Sequence, residues 1–375
     1  MCEGHRIDRR ARGRLFRRFM PEISLIRPPA WTALGERWRV LEARADGSFF
    51  QSWSWVGNRA AARFPDPWLL AVEQGGRTLA LGLFNRRRNA FGRARLWLNE
   101  SGSPAADSIH VEHNGLLLAR DAPAGLLAQL LGGLVAEGHC VVLGGVGDAH
   151  AEAAAATPAL RRDRAHPARA HVMDLSAVRA APGGHLALLS ANARQQIRRS
   201  LRRYADAGAL RVERAATLAE AQSHLAALSR LHQQTWTRRG QPGAFANPEF
   251  VAFHAALLEQ AWPRGEIDLL RVAAGGLVLG YLYNFRWRGR VANYQSGIDY
   301  AAAGSAQHKP GLTCHHLAIE MYAAEGEAAY DLLAGNDRYK ASLATGVEEL
   351  HWFELLPRAS LPGLVHRLRQ ALGRG

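Results

Sequence analysis

Lys309 and Lys340 are the only lysines in a 375-residue chain that carries 47 Lys and Arg residues in total. Arginine offers a planar, permanently charged fork, whereas the lysine ammonium is a compact point charge with three rotatable donors and a pKa that moves on burial. Positions that keep lysine against so strong a bias are candidates for work a guanidinium does not fit. Lys309 stands directly before Pro310 and Gly311, a pair suited to the first turn of a helix, where exposed N–H groups attract anions. Lys340 follows Tyr339, past a short apolar run that contains Asp331. A carboxylate inside Tyr330-Asp331-Leu332-Leu333 is costly unless it is paired or faces a cleft. Cys314, His315 and His316 bring a thiol and two imidazoles together, but adjacent helical positions point apart, which favours packing or hydrogen bonding over a nucleophilic dyad. A Gly-x-Ser-x-Gly elbow is absent. Cys2, Cys140 and Cys314 show neither paired nor metal-ligand spacing, which argues for no metal, no disulfide frame and a reducing, cytoplasmic setting.

These residues need elements to hold them. In the C-terminal half, Ser190 caps a predicted helix in which Ile197, Leu201 and Tyr204 share one face, Arg194, Arg198, Arg202 and Arg203 cover much of the rest, and Gly208 is the stop. A strand over Leu210 to Arg214, a helix over Thr217 to Arg238 and a helix capped by Asn247 with Pro248 in its first turn come next. Three consecutive strands follow: Ile267 to Ala273, Leu277 to Arg286 and Val291 to Ile298, joined at Gly275-Gly276 and Arg288-Gly289. A helix from Pro310 to Ala324 and strands over Ala329 to Leu333 and Leu350 to Leu355 complete a β-α-α-β-β-β-α-β order with a last strand. The N-terminal half opens with Trp31, Leu34, Trp38 and Leu41 at helical spacing and a helix over Gln51 to Arg63. A hairpin turning at Gly75-Gly76 comes next, with strands over Arg93 to Asn99, Ile109 to Leu118 and Cys140 to Leu143 and a helix over Pro123 to Glu137. Residues Asp148 to Arg169 lack a clear apolar face and mark the junction, before a strand over His171 to Leu175.

The composition supports two cores of ordinary domain size, 48% hydrophobic and 21% charged. The expected division is a basic leader over 1–19, domains over 20–175 and 176–358, and a basic C-terminal helix within 359–375. The leader crowds arginines ahead of Met20, which itself resembles a protein start. The longest apolar stretch, Ala122 to Ala136, is shorter than a bilayer span, and no signal peptide is apparent, so neither a membrane span nor export is expected. A formal charge of +14 raises nucleic acid, phosphorylated substrates and acidic surfaces as partners.

The element order, with Ser190, Asn192, Arg194, Arg198 and Arg199 on the leading helix, Lys309-Pro310-Gly311 at the later helix start, and Tyr330-Asp331-Leu332-Leu333-Ala334-Gly335 followed by Tyr339-Lys340, resembles the GNAT acyltransferase superfamily. Within it the chain is similar to the branch labelled BioF2-like or CelD-like, related to the Fem peptidyltransferases; the likeness covers Ser176 to Pro357. Met20 to Leu175, with Phe50-Gln51-Ser52 ahead of a hairpin, resembles a degenerate first copy. The fold class implied is α/β (α+β): tandem GNAT-like domains, each a mixed, mostly antiparallel sheet flanked by helices.

The resemblance implies transfer of an activated acyl group to an amine by direct attack, with no covalent enzyme intermediate. The nitrogen must be neutral, and the carbonyl oxygen gains charge that backbone N–H donors stabilise. It places the pyrophosphate of acetyl-CoA or another acyl-CoA at the helix start, with Ser305, Lys309, Pro310 and Gly311 as its contacts and Gln295 beside them. The family's Gln/Arg-x-x-Gly-x-Gly/Ala loop is not present here, and related branches with altered loops use aminoacyl-tRNA. Asn293, Gln295 and Tyr294 would position the acyl carbonyl or the acceptor, Tyr294 as a proton donor. Asp331 would orient the amine or act as a base through water, or pair with an arginine. Tyr339 and Lys340 fall on the acceptor side, and Asn192, Arg194 and Arg198 supply a second polar surface. Three functions follow: an acyl-CoA-dependent N-acyltransferase acting on a small-molecule or glycan-linked amine of a cell-envelope or polysaccharide precursor, a Fem-like transferase using aminoacyl-tRNA, and a non-catalytic scaffold.

Overall fold

The computed structural model describes residues 21–88, 94–301, 304–305, 307–335 and 338–359. The basic leader and the helix expected over Leu361 to Leu372 lie outside the described residues. The chain forms two compact units that interleave in sequence: Met1–Gly102, His113–Arg164 and Trp352–Gly375 make one, Ser103–Glu112 and Ala165–His351 the other.

In the first unit, α1 (Trp31–Glu42) buries Leu34, Trp38 and Leu41 completely, the apolar stripe their spacing predicts. The Trp38 indole donates to the Gln51 carbonyl at 2.9 Å, so its one polar atom is satisfied inside the core. Ser52 caps α2 (Trp53–Arg63) by accepting the Trp55 N–H. β1 (Glu22–Ile26) pairs with β2 (Pro67–Gln74), which turns at Gly75-Gly76 into β3 (Arg77–Arg88). Both turn glycines have positive φ, 58° and 77°, as a two-residue hairpin turn requires. β4 (Ala94–Leu98) lies along β3, and the two-residue β5 (Leu117–Leu118) also pairs with β3. After α3 (Leu126–Ala136), β6 (Cys140–Val146) runs parallel to β4. The strand expected over Ile109 to Leu118 is therefore a strand only at its last two residues. His113 adopts a left-handed φ of 48°, which breaks the extended run, and Asn114 makes only an isolated parallel bridge to Val146 while its side-chain amide donates to the Leu98 and Gly144 carbonyls.

The stretch Asp148 to Arg169 holds a helix over Asp148–Ala155 and most of β7 (Leu160–Asp174), along which the chain passes into the second unit. There, after short helices over Leu175–Ala180 and Gly184–Leu188, the main elements are α4 (Ala191–Ala205), β8 (Leu210–Arg214), α5 (Leu218–Arg238), α6 (Pro248–Ala261), β9 (Ile267–Ala274), β10 (Leu277–Trp287), β11 (Arg290–Ile298), α7 (Pro310–Ala324), β12 (Ala329–Ala334), α8 (Arg338–Leu343) and the first part of β13 (Gly346–Leu356). Side chains of Ser190, Thr217 and Asn247 cap α4, α5 and α6. The sheet order is β7-β12-β11-β10-β9-β8; β11 and β12 are parallel, with α7 as the crossover such a pair needs, and the other pairs are antiparallel.

Strand alternation assigns the helices to two faces. Leu279, Leu282 and Val291 meet Ile197 and Tyr204 of α4 and Cys314, Ile319 and Tyr322 of α7 in one core. Tyr283 and Phe285, between those positions, join Tyr294 and His254 of α6 in an aromatic cluster on the opposite face. Burial of Ile197 alone stabilises by about 1.5–3 kcal/mol, while Arg198, Arg199, Arg202 and Arg203 on the same helix stay exposed. α5 crosses β11 so closely that a Cβ on Gly297 would lie 2.4 Å from the Leu228 carbonyl oxygen, so only glycine fits there.

Candidate active site

β11 and β12 are hydrogen-bonded only from Arg290 to Ala292 against Ala329 to Asp331. Beyond that both strands leave the ladder. On β11 the register against β10 slips, so that Asn293 to Gln295 stand opposite only Tyr283 and Asn284. On β12 the register against β7 slips between Asp331 and Ala334, and Leu333 takes a left-handed φ of 60°. A cavity of about 1080 Å³ opens in this fork, large enough for a sizeable ligand. It is lined from one face of the sheet by α4 and the start of α7, and from the other by α5.

Each bulge is held by a specific polar set. A left-handed leucine costs about 1–2 kcal/mol, and four contacts offset it. Asp331, fully buried, accepts the Leu333 N–H at 2.7 Å with one oxygen and Arg290 Nη2 at 2.7 Å and Nε at 3.0 Å with the other. The Lys340 ammonium donates to the Ala334 carbonyl at 2.7 Å and the Leu333 carbonyl at 3.4 Å. Glu112 accepts the Ala334 N–H at 2.6 Å. On the β11 side, hydrogen bonds run in one direction through the core: Ser296 donates to Asn293, Asn293 to Asn284, Asn284 to Tyr322, and Tyr322 to Asp268, at 2.8 to 3.0 Å. Arg214 completes the chain by donating to Asp268 at 3.0 Å, and Arg286 lies 3.7 Å away. Burial first, and then the Asp268 charge, raise the Tyr322 phenol well above its ordinary pKa, so it stays a donor.

At the start of α7, Lys309 occupies the N-cap and brings no acceptor side chain, while Pro310, Gly311 and Leu312 line the cavity. The Lys309 N–H donates to buried Ser200 of α4, which also bonds Thr313 at 2.7 Å. That pins the helix start and leaves a dipole end directed at the cavity, a ready anion site. A Cβ on Gly311 would have no protein atom nearer than the Tyr300 hydroxyl at 3.5 Å, so this position is open. Ser305 and His308, bonded to each other at 3.0 Å, line the same end.

Most of the predicted site residues meet here: Asn192, Asn293, Tyr294, Gln295, Ser305, Lys309, Pro310, Gly311, Tyr339 and Lys340 all line the cavity. Asp331 does not. It lies beneath the fork as the partner of Arg290 and the anchor of the Leu333 bulge, so its place is structural. Arg194 turns back to the Leu189 carbonyl and Arg198 points to solvent; neither lines the cavity. Tyr294 lines it, but its hydroxyl donates to the His110 carbonyl at 3.2 Å and its ring packs on His254 and Phe285, so it fixes the 103–112 segment rather than offering a proton. Cys314 is fully buried and its thiol pKa is pushed far up, which excludes it as a nucleophile.

Other lining residues were not anticipated. His110 and Glu112 arrive on the segment that reads as a strand. His232, Thr235, Trp236 and Arg239 form an i, i+3, i+4, i+7 stripe along the end of α5, a helical-face signal present in the sequence. His315 reaches the inner wall, bonded to the Tyr330 hydroxyl at 3.0 Å and stacked on Tyr339; burial pulls its pKa to about 3, so it is neutral. Its neighbour His316 faces away, with Nδ1 3.0 Å from Nδ1 of His185.

The family model described as an acetyltransferase (GNAT) domain matches residues 191–341, which contain the fork, α5 and both lysines. Residues 191–341 thus carry an acetyltransferase (GNAT) domain. Solved structures share the fold over most of the chain. FemX is similar at 8% identity and a TM-score of 0.58, with 92% of this chain and 99% of FemX covered. The C-terminal domain of a candidate lysylphosphatidylglycerol synthetase from Agrobacterium fabrum is similar at 11% identity and 0.54, covering 92% and 96%. L-PGS from Bacillus licheniformis is similar at 10% identity and 0.52, covering 91% and 97%. No curated protein matches the chain. Among the described residues no helix is long and apolar enough to cross a membrane. The chain is thus an acyltransferase with the mixed, mostly antiparallel sheets expected of the superfamily.

Proposed function

We propose that this GNAT protein is a cytoplasmic, acyl-CoA-dependent N-acyltransferase that acylates an amine of a cell-envelope or polysaccharide precursor. The observation that carries this is the fork between β11 and β12, which opens toward an α7 start that lacks a side-chain cap on one face and toward the α5 stripe on the other. A donor on the α7 face presents its pyrophosphate to the Gly311 and Leu312 N–H groups and Lys309, and its acyl carbon to the bulge at Asn293 to Gln295. The acceptor enters from the α5 face. The hydrogen-bond chain behind Asn293 keeps the bulge rigid, so its dipoles are in place before the carbonyl oxygen gains charge. Lys340 holds the opposite wall and directs its ammonium to the same space.

Thermal shift with acetyl-CoA tests the donor. Stabilisation that saturates with acetyl-CoA, and is lost with the pantetheine arm alone, is the expected result. A second donor is favoured by one observation: the loop before α7 departs from the family pattern, and α4 exposes Arg198, Arg199, Arg202 and Arg203 on its outer face. An aminoacyl-tRNA-dependent transferase would use that surface. No stabilisation by acyl-CoA, together with tight and salt-sensitive tRNA binding, would decide for it.

A further inference from the structure

α4 carries its charge differently from the strands of its unit. Arg214, Arg271, Arg286 and Arg290 each pair with a carboxylate, of Asp268, Glu213, Glu327 and Asp331 in turn. Arg198, Arg199, Arg202 and Arg203 are exposed and make no ion pair among the described residues. Two i, i+4 rows set these four side by side on the outer face, away from buried Ile197, Ser200 and Tyr204. Like charges on adjacent turns repel one another, a cost that an anionic partner removes. The patch is compact, spanning about 7.5 Å of helix at 1.5 Å per residue, and it stops at Asp206, one turn beyond Arg202. It also sits at the donor mouth. Ser200, from the same turn, accepts the Lys309 N–H and bonds Thr313 of α7 at 2.7 Å. Arg203 donates to Gln307 at 2.9 Å, and the Tyr204 ring meets His308 edge-on at 4.9 Å. α4 is thus fastened to the loop that enters α7, while its first turns put Asn192 and Gln196 on the cavity wall.

We propose that the fork takes its acyl group from a small acidic carrier protein, which holds the acyl on a phosphopantetheine thiol, and that the carrier docks on the outer face of α4. This rests on the thioester donor proposed above. Free acyl-CoA and such a carrier present the same arm, and the same phosphate beside it, to the start of α7. Beyond that phosphate they differ: one continues as a nucleotide, the other as a protein surface rich in carboxylates. A guanidinium takes a carboxylate in a bidentate pair, and a cluster of four steers and selects an acidic surface about the size of one helix. A nucleic acid presents phosphates at short, regular intervals and would use a longer tract of cations than one closed by Asp206. The bonds made and broken are the same from either thioester. A neutral amine forms a C–N bond with the acyl carbon as the C–S bond breaks, and the displaced amine proton goes to the departing thiolate, so the products are an amide and the free thiol of the carrier.

The test is calorimetric titration of the full chain with a bacterial acyl carrier protein in its apo form and its acetyl-phosphopantetheine form, and with acetyl-CoA alongside. The acetylated carrier is expected to bind at least tenfold more tightly than the apo form, to be displaced by excess acetyl-CoA and to weaken as salt rises. Arg198→Glu together with Arg202→Glu should weaken the carrier at least tenfold, leave acetyl-CoA within about twofold and leave the unfolding midpoint in place, whereas Arg198→Lys together with Arg202→Lys should keep most of the affinity. No binding of the acetylated carrier where acetyl-CoA binds, or equal binding of the apo form, overturns the carrier and leaves the acyl-CoA function standing. An equal loss of acetyl-CoA affinity in the charge-reversed variant also overturns it, since α4 would then serve the nucleotide. Salt-sensitive tRNA binding that the same variant abolishes overturns it in favour of a nucleic-acid surface. Carrier binding without acetyl-CoA binding supports the carrier and removes CoA as donor, and binding of neither overturns both.

Discussion

Tyr322→Phe removes one oxygen from the hydrogen-bond chain behind the β11 bulge and leaves the ring in place. Two bonds depend on that oxygen: it donates to the Asp268 carboxylate at 2.9 Å and accepts the Asn284 side-chain amide at 3.0 Å. A bond to a charged group contributes about 1.5–3 kcal/mol, and a buried donor left without an acceptor costs about 1–3 kcal/mol. Asn284 and Tyr322 are both fully buried, so water does not replace the lost partner, but Asp268 keeps its bond to Arg214. The expected loss is about 2–4 kcal/mol, or a fall in Tm of roughly 5–12 °C for a body of this size. Urea unfolding followed by tryptophan fluorescence measures it, with the midpoint moving and the slope unchanged. Asn293 leans on Asn284, so kcat/KM is expected to fall about tenfold as well. Asn284→Ala should cost a comparable amount, and the double variant less than the sum by about 1–2 kcal/mol. A loss below about 1 kcal/mol in Tyr322→Phe, or additive single effects, would show that the chain is not a coupled unit.

Lys340→Arg is expected to lower kcat at least tenfold while preserving charge, because a planar guanidinium does not reproduce an ammonium shared between the Leu333 and Ala334 carbonyls; wild-type turnover would remove Lys340 from the chemistry. Lys309→Ala should raise the donor KM several-fold with no change in the unfolding midpoint, since the Lys309 side chain is exposed and only its backbone N–H holds α4; an unchanged KM would take it out of the donor site. Stability should fall as pH drops below 6.5. His185, His315 and His316 have folded pKa values of about 4, 3 and 3, below the ordinary 6.5, so the unfolded chain binds protons first. Their contribution is complete above pH 6.5 and is lost as pH falls, down to about 4 for His185 and about 3 for His315 and His316, at up to about 1.4 kcal/mol per pH unit for each histidine. Urea midpoints from pH 7 to 5 measure the slope, and His316→Gln should flatten it; a flat wild-type profile contradicts the burial assigned to these rings.

Local signals in the sequence defined much of the second unit. Pro310 after an apolar strand and a loop marks the start of α7, and the Gly275-Gly276 and Arg288-Gly289 turns separate the three strands. The lysine scarcity led to two positions that both line the cavity. Asp331 shows where such signals end. Its oddity in an apolar strand was visible, but which of many arginines pairs with it depends on β11 lying beside β12, and Arg290 is 41 residues away in sequence. Glu112 was hidden for a related reason: Ile109 and Val111 alternate with polar residues as a strand would, and only packing against α6 shows that this piece serves the second unit. The α5 stripe is legible as a helical face, but its spacing alone does not distinguish a cavity wall from a packed face.

The interleaving of the two units bears on how this enzyme could be divided or transplanted. A fragment beginning at Ala165 would hold the fork, both lysines and the whole matched GNAT segment, yet lack the loop that ties down Tyr294 and receives the Ala334 N–H. Copying that contiguous stretch into another protein would therefore carry over the scaffold without one wall of its active site. Removing the first half of the chain would also remove ten consecutive residues, 103–112, that belong to the second unit.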